Sequence, residues 1–436
     1  MDSGRRAGVA TAVKWELASV AATVLAVAAF SSRLTSTPVT PAMAFVVIGV
    51  LLGPLVIGEV TESPVGTDVR TLAEATLSVV LFADASRIKL RLLRHEYTVP
   101  LRLLAIGLPL TIVAGAVLAG AVFGALSTAE ALVLAVLLAP TDAALGQSVV
   151  TEEGLPSRIR QGLNVESGLN DGICVPLLLI VLAAAEVEDH ATNGHHAITI
   201  VAEEIGYGIV GGVAAGVCAA AVVAVAYRRG LVTGSWLQVI PVAGAALAYG
   251  VAIALGGSGF IAAFVGGAIF GAVASRESDE ASRFSEEVGA LLGGVTFLVF
   301  GAVLLGPALK HVTWEIVLYA VLSLTVVRML PVAIAMLGTS ANWRTVAFLG
   351  WFGPRGLASI VFAVIVVQEA NLPGATTILL TTYFTIGLSV LAHGLTAAPL
   401  ARAYASWYAS HPRHLQPRME SVDAHVHRPR GPHHIS

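Results

Sequence analysis

Leu138-Ala139-Pro140-Thr141-Asp142-Ala143-Ala144-Leu145-Gly146 lies in the middle of a largely apolar run, residues 129–150. A run of about 20 apolar residues is long enough to cross a bilayer as a helix. Pro140 removes a backbone donor and disfavours helix at the residue before it. The helix is therefore expected to break at mid-span, with Thr141 and Asp142 at the break. Unpaired backbone at membrane depth is tolerated only where it lines a cavity. A second stretch, Trp351-Phe352-Gly353-Pro354-Arg355-Gly356-Leu357-Ala358-Ser359, is also interrupted by Gly and Pro at mid-span, with a cation in place of the acid. Between them in sequence lies Asn164-Val165-Glu166-Ser167-Gly168-Leu169-Asn170-Asp171-Gly172. Here Ser167, Asn170 and Asp171 share one helix face, and Glu166 stands one turn from Asn170.

The rest of the chain is consistent with a membrane setting. Its 436 residues are 56% hydrophobic and only 12% charged, against about 25% charged in soluble domains. The expected class is an all-α polytopic membrane protein. Thirteen spans are expected, near 15–32, 41–58, 71–91, 98–124, 129–150, 157–185, 197–227, 235–255, 258–275, 285–306, 313–337, 344–368 and 375–404. Residues 1–408 form the transmembrane domain, and 409–436 a His-, Arg- and Pro-rich tail, expected to be disordered. Six of the twelve histidines lie in that tail, and a solvated tail is preferred to a pH sensor. Nucleic-acid binding is excluded by a formal net charge of −3 with no dense basic stretch outside the tail. The two cysteines, Cys174 and Cys218, lie in apolar runs and read as small packing residues. Gly256-Gly257-Ser258-Gly259 sits between spans and follows no strand, so it is not a phosphate loop.

Basic residues set orientation. Placing the gaps alternately on two sides puts eighteen Lys and Arg on one side and five on the other. The richer side includes the tail, which is then cytoplasmic, with the N-terminus outside. Arg5, Arg6 and Lys14 locally favour the opposite orientation for span 1.

Two of the 25 basic residues, Arg328 and Arg355, remain inside spans. Asp84, Asp142, Glu166 and Asp171 are there too. Each such charge costs roughly 2.5–3.5 kcal/mol at the bilayer centre unless it is paired or solvated. Four carboxylates against two guanidiniums leave a surplus of negative charge, which calls for protons, a metal ion or both. Oxygen ligands without a Cys/His set suit a hard monovalent cation. If spans 1–6 and 8–13 are inverted repeats joined by span 7, the breaks in spans 5 and 12 occupy matching positions. Matched interruptions in two halves point to a transport site. Arg355 then compensates the partial charges at the broken helix ends.

These motifs resemble the sodium/proton antiporter family, and most closely its NhaP-like branch, related to the animal sodium/hydrogen exchangers. The resemblance rests on Thr141-Asp142, on Glu166-Ser167 with Asn170-Asp171, on Arg328 in span 11 and on Gly353-Pro354-Arg355-Gly356 in span 12. It implies a homodimer in the cytoplasmic membrane. Spans 1–3 and 8–10 would form the dimerisation domain, and spans 4–6 and 11–13 the ion-transport domain with crossed, unwound helices. The activity implied is exchange of Na+ or Li+ for H+ without a cofactor and without enzymatic chemistry. Alternatives are K+/H+ exchange on the same fold and, in a different class, a cation channel or a transport-dead sensor. By the same resemblance Asp171 binds cation and proton. Asp142, the Thr141 carbonyl and the Ser167 hydroxyl complete the Na+ ligands. Asp84 lies near the ion, and Glu166 pairs with Arg328. Asn170 stands where the electrogenic branch has a second aspartate, which implies electroneutral one-for-one exchange. The family places a proline after the span 5 aspartate. Here that residue is Ala143, and Pro140 precedes the motif, so unwinding is expected to shift by a few residues.

Overall fold

Backbone groups in hydrocarbon must find partners within their own segment, so apolar runs of this length fold as helices. In the computed structural model of the chain, residues 17–35, 37–56, 67–87, 98–142, 145, 149, 152, 154–190, 194–232, 234–274, 278–369, 372–410 and 419–420 are described. Among them the secondary structure is entirely helical. The main helices are α1 (Leu17–Ala29), α2 (Pro41–Val56), α3 (Thr67–Ser86), α4 (Thr98–Val122), α5 (Thr128–Leu137), α6 (Ser157–His190), α7 (Gly194–Arg228) and α8 (Gly234–Ala254). They continue with α9 (Gly259–Val273), α10 (Phe284–His311), α11 (Trp314–Ala335, interrupted at Thr325), α12 (Trp343–Trp351), α13 (Leu357–Glu369) and α14 (Ala375–Ala409).

Among the described residues, seven of these are long and apolar enough to cross a membrane: α4, α6, α7, α8, α10, α11 and α14. Helix occupies part or all of each of the thirteen predicted stretches. The helices at the two predicted breaks are short because their spans are interrupted. Thus α5 ends at Leu137, with residues 139–142 non-helical, and α12 ends at Trp351, with helix resuming at Leu357. Ending α5 at Leu137 agrees with Pro140 acting upstream of Thr141. Ala143 and Ala144 lie outside the described residues, as do Arg5, Arg6, Lys14 and the six tail histidines.

Small residues set the closeness of the packing. Helix α9 packs on α3, α7 and α8, and α10 packs on α2, α3 and α8. Gly267 and Gly271 of α9 lie against the α3 backbone at Phe82 and Ser86, where a Cβ has no room. Small residues allow this backbone approach between apolar helices. On the other side of the molecule α4 packs on α5, α5 on α6, and α11 on α4, α12 and α14, with α13 against α3 and α14. The N-terminus of α5 is fixed by a capping box in which Ser127 and Glu130 satisfy each other's backbone N–H. The buried Glu130 also accepts the Gly374 N–H at 2.5 Å. Gly256-Gly257-Ser258-Gly259 is a turn whose Ser258 caps α9.

Two sequence expectations need correction. Cys174 is buried, but Cys218 is exposed on α7, so only the first is a core packing residue. The chain beyond 409 is also not free throughout. Met419 and Glu420 are buried at the start of α12, and Met419 shares a cluster with Phe348 and Tyr404. Glu420 Oε1 accepts the Asn342 N–H at 2.9 Å and the Thr345 hydroxyl at 2.5 Å. The Arg158 guanidinium donates to the Met419 carbonyl at 3.3 Å. A carboxylate is favoured at a helix N-terminus, where amides and dipole both attract it. Composition did not show this, because the anchoring acid is a single residue in a polar segment. Glu420→Ala is expected to cost about 1–3 kcal/mol, the range for lost hydrogen bonds to a buried charged group. A thermal melt of the detergent-purified protein reads this as a lowered midpoint.

Candidate functional site: the crossing of two interrupted helices

Two short non-helical segments, residues 139–142 after α5 and 352–356 between α12 and α13, meet and supply each other's missing partners. The Asp142 N–H donates to the Pro354 carbonyl at 2.8 Å. The Leu357 N–H, at the start of α13, donates to Asp142 Oδ2 at 2.9 Å. The guanidinium of Arg355 donates through Nη1 to the carbonyls of Ala139 and Pro140. The electrostatics are reciprocal. Arg355 answers the partial negative charge beyond the C-terminus of α5, and Asp142 answers the positive N-terminus of α13. The sequence reading gave the whole of this compensation to Arg355, but the structure divides it between the two residues.

A buried ion pair stands beside the crossing. Arg328 Nη1 and Nη2 donate to Glu166 Oε1 and Oε2, each at 3.0 Å. Both residues are almost wholly buried, and the fork geometry is the strong form of such a pair. Glu166 and Arg328 are thus brought together as expected. Two carboxylate–arginine pairs were possible on the sequence, and this is one of them. Arg355 binds backbone carbonyls instead.

Helix α6 brings its polar face to the Thr141 backbone. The Ser167 hydroxyl donates to the Thr141 carbonyl. Asn170 Nδ2 donates to Thr141 Oγ1 at 2.7 Å and to Glu166 Oε1 at 3.4 Å. Ser167, Thr141 and Asn170 are therefore in direct contact, and Asn170 ties the break to the ion pair. Asp171 lies one residue further along and is 9% exposed. Its Oδ1 is buried and has no hydrogen-bond partner among the described residues. The carboxylates of Asp142, Asp84 and Glu166 are within electrostatic reach of Asp171. Asp84 of α3 faces α6 at Gly168, where an added Cβ would lie 3.5 Å from the Asp84 Cβ. Thr141, Asp142, Glu166, Ser167, Asn170, Arg328 and Arg355 thus make hydrogen bonds at or beside the crossing, and Asp171 and Asp84 stand within electrostatic reach of Asp142. Among the described residues no group of three or more His, Cys, Asp or Glu is arranged to hold a metal. Cation ligation here would have to draw on backbone and hydroxyl oxygens as well as carboxylates.

Gly356 makes this approach possible, since a Cβ at that position would strike the Asp142 carboxylate. Gly356→Ala is expected to displace Asp142 from the α13 N-terminus. Helix content by circular dichroism should be unchanged, while cation binding weakens.

Sequence reasoning missed Ser389 and His393. Both are buried in α14. The Arg355 N–H donates to Ser389 Oγ at 2.6 Å, and His393 Nε2 lies 2.9 Å from the Trp351 carbonyl. A signal was present: Thr381, Thr385, Ser389 and His393 recur at a spacing of four in an otherwise apolar span. That spacing places them on one helix face.

Interrupted helices crossing at membrane depth beside a carboxylate cluster define a secondary-transporter class of membrane protein. Comparison with known proteins sharpens this. The sodium/hydrogen exchanger transmembrane model matches residues 20–403, and the chain belongs to that family. It is 29% identical to a probable Na+/H+ antiporter of Schizosaccharomyces pombe over 72% of this chain and 43% of that one. It is 25% identical to the K+/H+ antiporter NhaP2 of Shewanella sp. over 82% of this chain and 61% of that one. The chain therefore spans only part of the length of these curated relatives. The structure of the sodium proton antiporter MjNhaP1 from Methanocaldococcus jannaschii superposes with a TM-score of 0.72 at 19% identity. That match covers 91% of this chain and 99% of the other, so the fold is NhaP-like.

Proposed function

We propose that the protein exchanges a monovalent cation, Na+ or Li+, for H+ across the cytoplasmic membrane, one for one and by alternating access. One observation carries the reading. With Glu166 held by Arg328 and Arg355 held by backbone carbonyls, Asp171 keeps a buried oxygen without a partner among the described residues. A buried carboxylate in that position is stable when it binds a proton or a cation. Asp171 is the residue at which the two compete, with Asp142, the Thr141 carbonyl and the Ser167 hydroxyl as further ligands and Asp84 close by. The transport domain, spans 4–6 and 11–13, moves with the site filled by either ion and stays still when it is charged and vacant. The electroneutral ratio follows from Asn170, an amide bonded to Thr141 where a second titrating acid would add a charge. Spans 1–3 and 8–10 hold a homodimer, and the C-terminus is cytoplasmic. Family membership and the packing of α8–α10 around α3 support this division.

A second reading, K+/H+ exchange at the same site, is favoured by the relatives named as K+/H+ antiporters. Purified protein in liposomes carrying a pH dye separates the two. Dequenching by Na+ or Li+ with little response to K+ is the expected result, and the reverse order selects K+. Activity that persists in currents far above carrier rates would remove both.

A further inference from the structure

We infer that Ser389 and His393 form a clamp that fixes the unwound segment Phe352–Gly356, and that both are positioning residues for the crossing. The segment lies between α12 and α13, and its backbone joins them only at its ends, where the Phe352 N–H donates to the Phe348 carbonyl and the Gly356 carbonyl accepts the Ile360 N–H. One side is held by α5 through Asp142 and the carbonyls of Ala139 and Pro140. The other side is held by a single turn of α14. His393 Nε2–H donates to the Trp351 carbonyl at 2.9 Å, since a carbonyl only accepts. His393 Nδ1 is 3.1 Å from Ser389 Oγ and 3.0 Å from the Ser389 carbonyl. With the single ring proton on Nε2, Nδ1 accepts the Ser389 hydroxyl proton, and the Ser389 carbonyl is a close neighbour of Nδ1 without a hydrogen bond to it. Ser389 Oγ in turn accepts the Arg355 N–H at 2.6 Å. The last carbonyl of α12 and the amide of the residue that caps α5 are thus tied to the same turn. Trp351 adds to the grip. Its ring lies 5.0 Å from the imidazole, and its Nε1–H donates to Thr396 Oγ1 at 3.0 Å.

Such a clamp has a use at this place. The five residues of the segment carry the Pro354 carbonyl to Asp142 and the Arg355 guanidinium to α5. Helix α14 runs over 35 residues, and the gripping turn lies N-terminal to its internal Pro399. Without Ser389 and His393 the buried Arg355 N–H loses its partner, the Trp351 carbonyl keeps only the Gly353 N–H, and the segment has side-chain anchors on one side only.

The transport arm of the test rests on the exchange reading above, and the hydrogen-exchange arm does not. Amide hydrogen–deuterium exchange of peptides covering residues 352–357 is compared in wild type, His393→Leu, Ser389→Ala and His393→Gln. Cation-dependent exchange is then measured on the same proteins in liposomes. His393→Leu and Ser389→Ala are each expected to raise the exchange rate of that segment and the apparent KM for the cation by about tenfold or more. The double variant should be no worse than the worse single one, because the two act through one network. His393→Gln keeps a donor near the position of Nε2 and should recover most of the loss. Unchanged hydrogen exchange in folded His393→Leu and Ser389→Ala overturns the clamp. Faster hydrogen exchange with a wild-type KM overturns the positioning role. If His393→Leu does not fold, Ser389→Ala decides. If wild type moves no Na+, Li+ or K+, the exchange reading fails, and the clamp is judged on hydrogen exchange alone.

Discussion

Asp171→Asn is expected to reduce cation/proton exchange in liposomes to the level of protein-free vesicles while leaving the protein folded. The substitution keeps the shape of the side chain and removes its charge. Asp171 is buried, with one oxygen lacking a partner among the described residues and three other carboxylates within electrostatic reach. An amide there removes a costly buried charge, so the melting temperature should hold or rise. On the proposed mechanism it also removes the group that alternates between proton and cation. Asp171→Glu retains the charge on a longer stem and should exchange with altered affinity or selectivity. Wild-type rates in Asp171→Asn would move the site elsewhere.

Arg328→Ala is expected to give the opposite pattern, with stability lost first. Glu166 and Arg328 are 1% exposed and joined by two hydrogen bonds of 3.0 Å. Truncating one partner leaves the other charged, buried and unpaired, at a cost of roughly 3–5 kcal/mol. Low yield and a depressed melting temperature should follow, and Glu166→Gln should show a milder form of the same defect. Its amide still accepts from Arg328 but leaves that cation uncompensated. On the proposed mechanism the pair stands apart from the exchange step, since its charges already balance. Unchanged melting with abolished transport in Arg328→Ala would make Arg328 part of the mechanism instead.

Most of the crossing could be read from the sequence because membrane depth makes polar residues conspicuous. Pro140 and Gly353-Pro354 announced their breaks, since hydrocarbon offers the backbone no substitute partner. Arg328, Arg355 and the acids stood out in a chain with 12% charged residues. What could not be read was who partners whom. Spacing placed Ser167, Asn170 and Asp171 on one face. It did not reveal that Ser167 donates to the Thr141 carbonyl, or that Asp142 caps α13. Those contacts join residues far apart in the chain and depend on how the helices cross. His393 was overlooked for a different reason. A lone buried histidine carries no formal charge when neutral, so it did not register among the charged residues. Met419 and Glu420 escaped because a polar segment reads as solvated whether or not one of its residues docks.

The most direct test counts protons released as the cation binds. Purified protein is titrated with Na+ or Li+ by calorimetry at one pH in two buffers of different ionisation enthalpy. Competition at one site predicts about one proton released per cation bound under conditions where the site starts protonated. The same titration of Asp171→Asn should show neither binding nor release. Cation binding with no proton release in wild type, or undiminished release in Asp171→Asn, would contradict competition at Asp171.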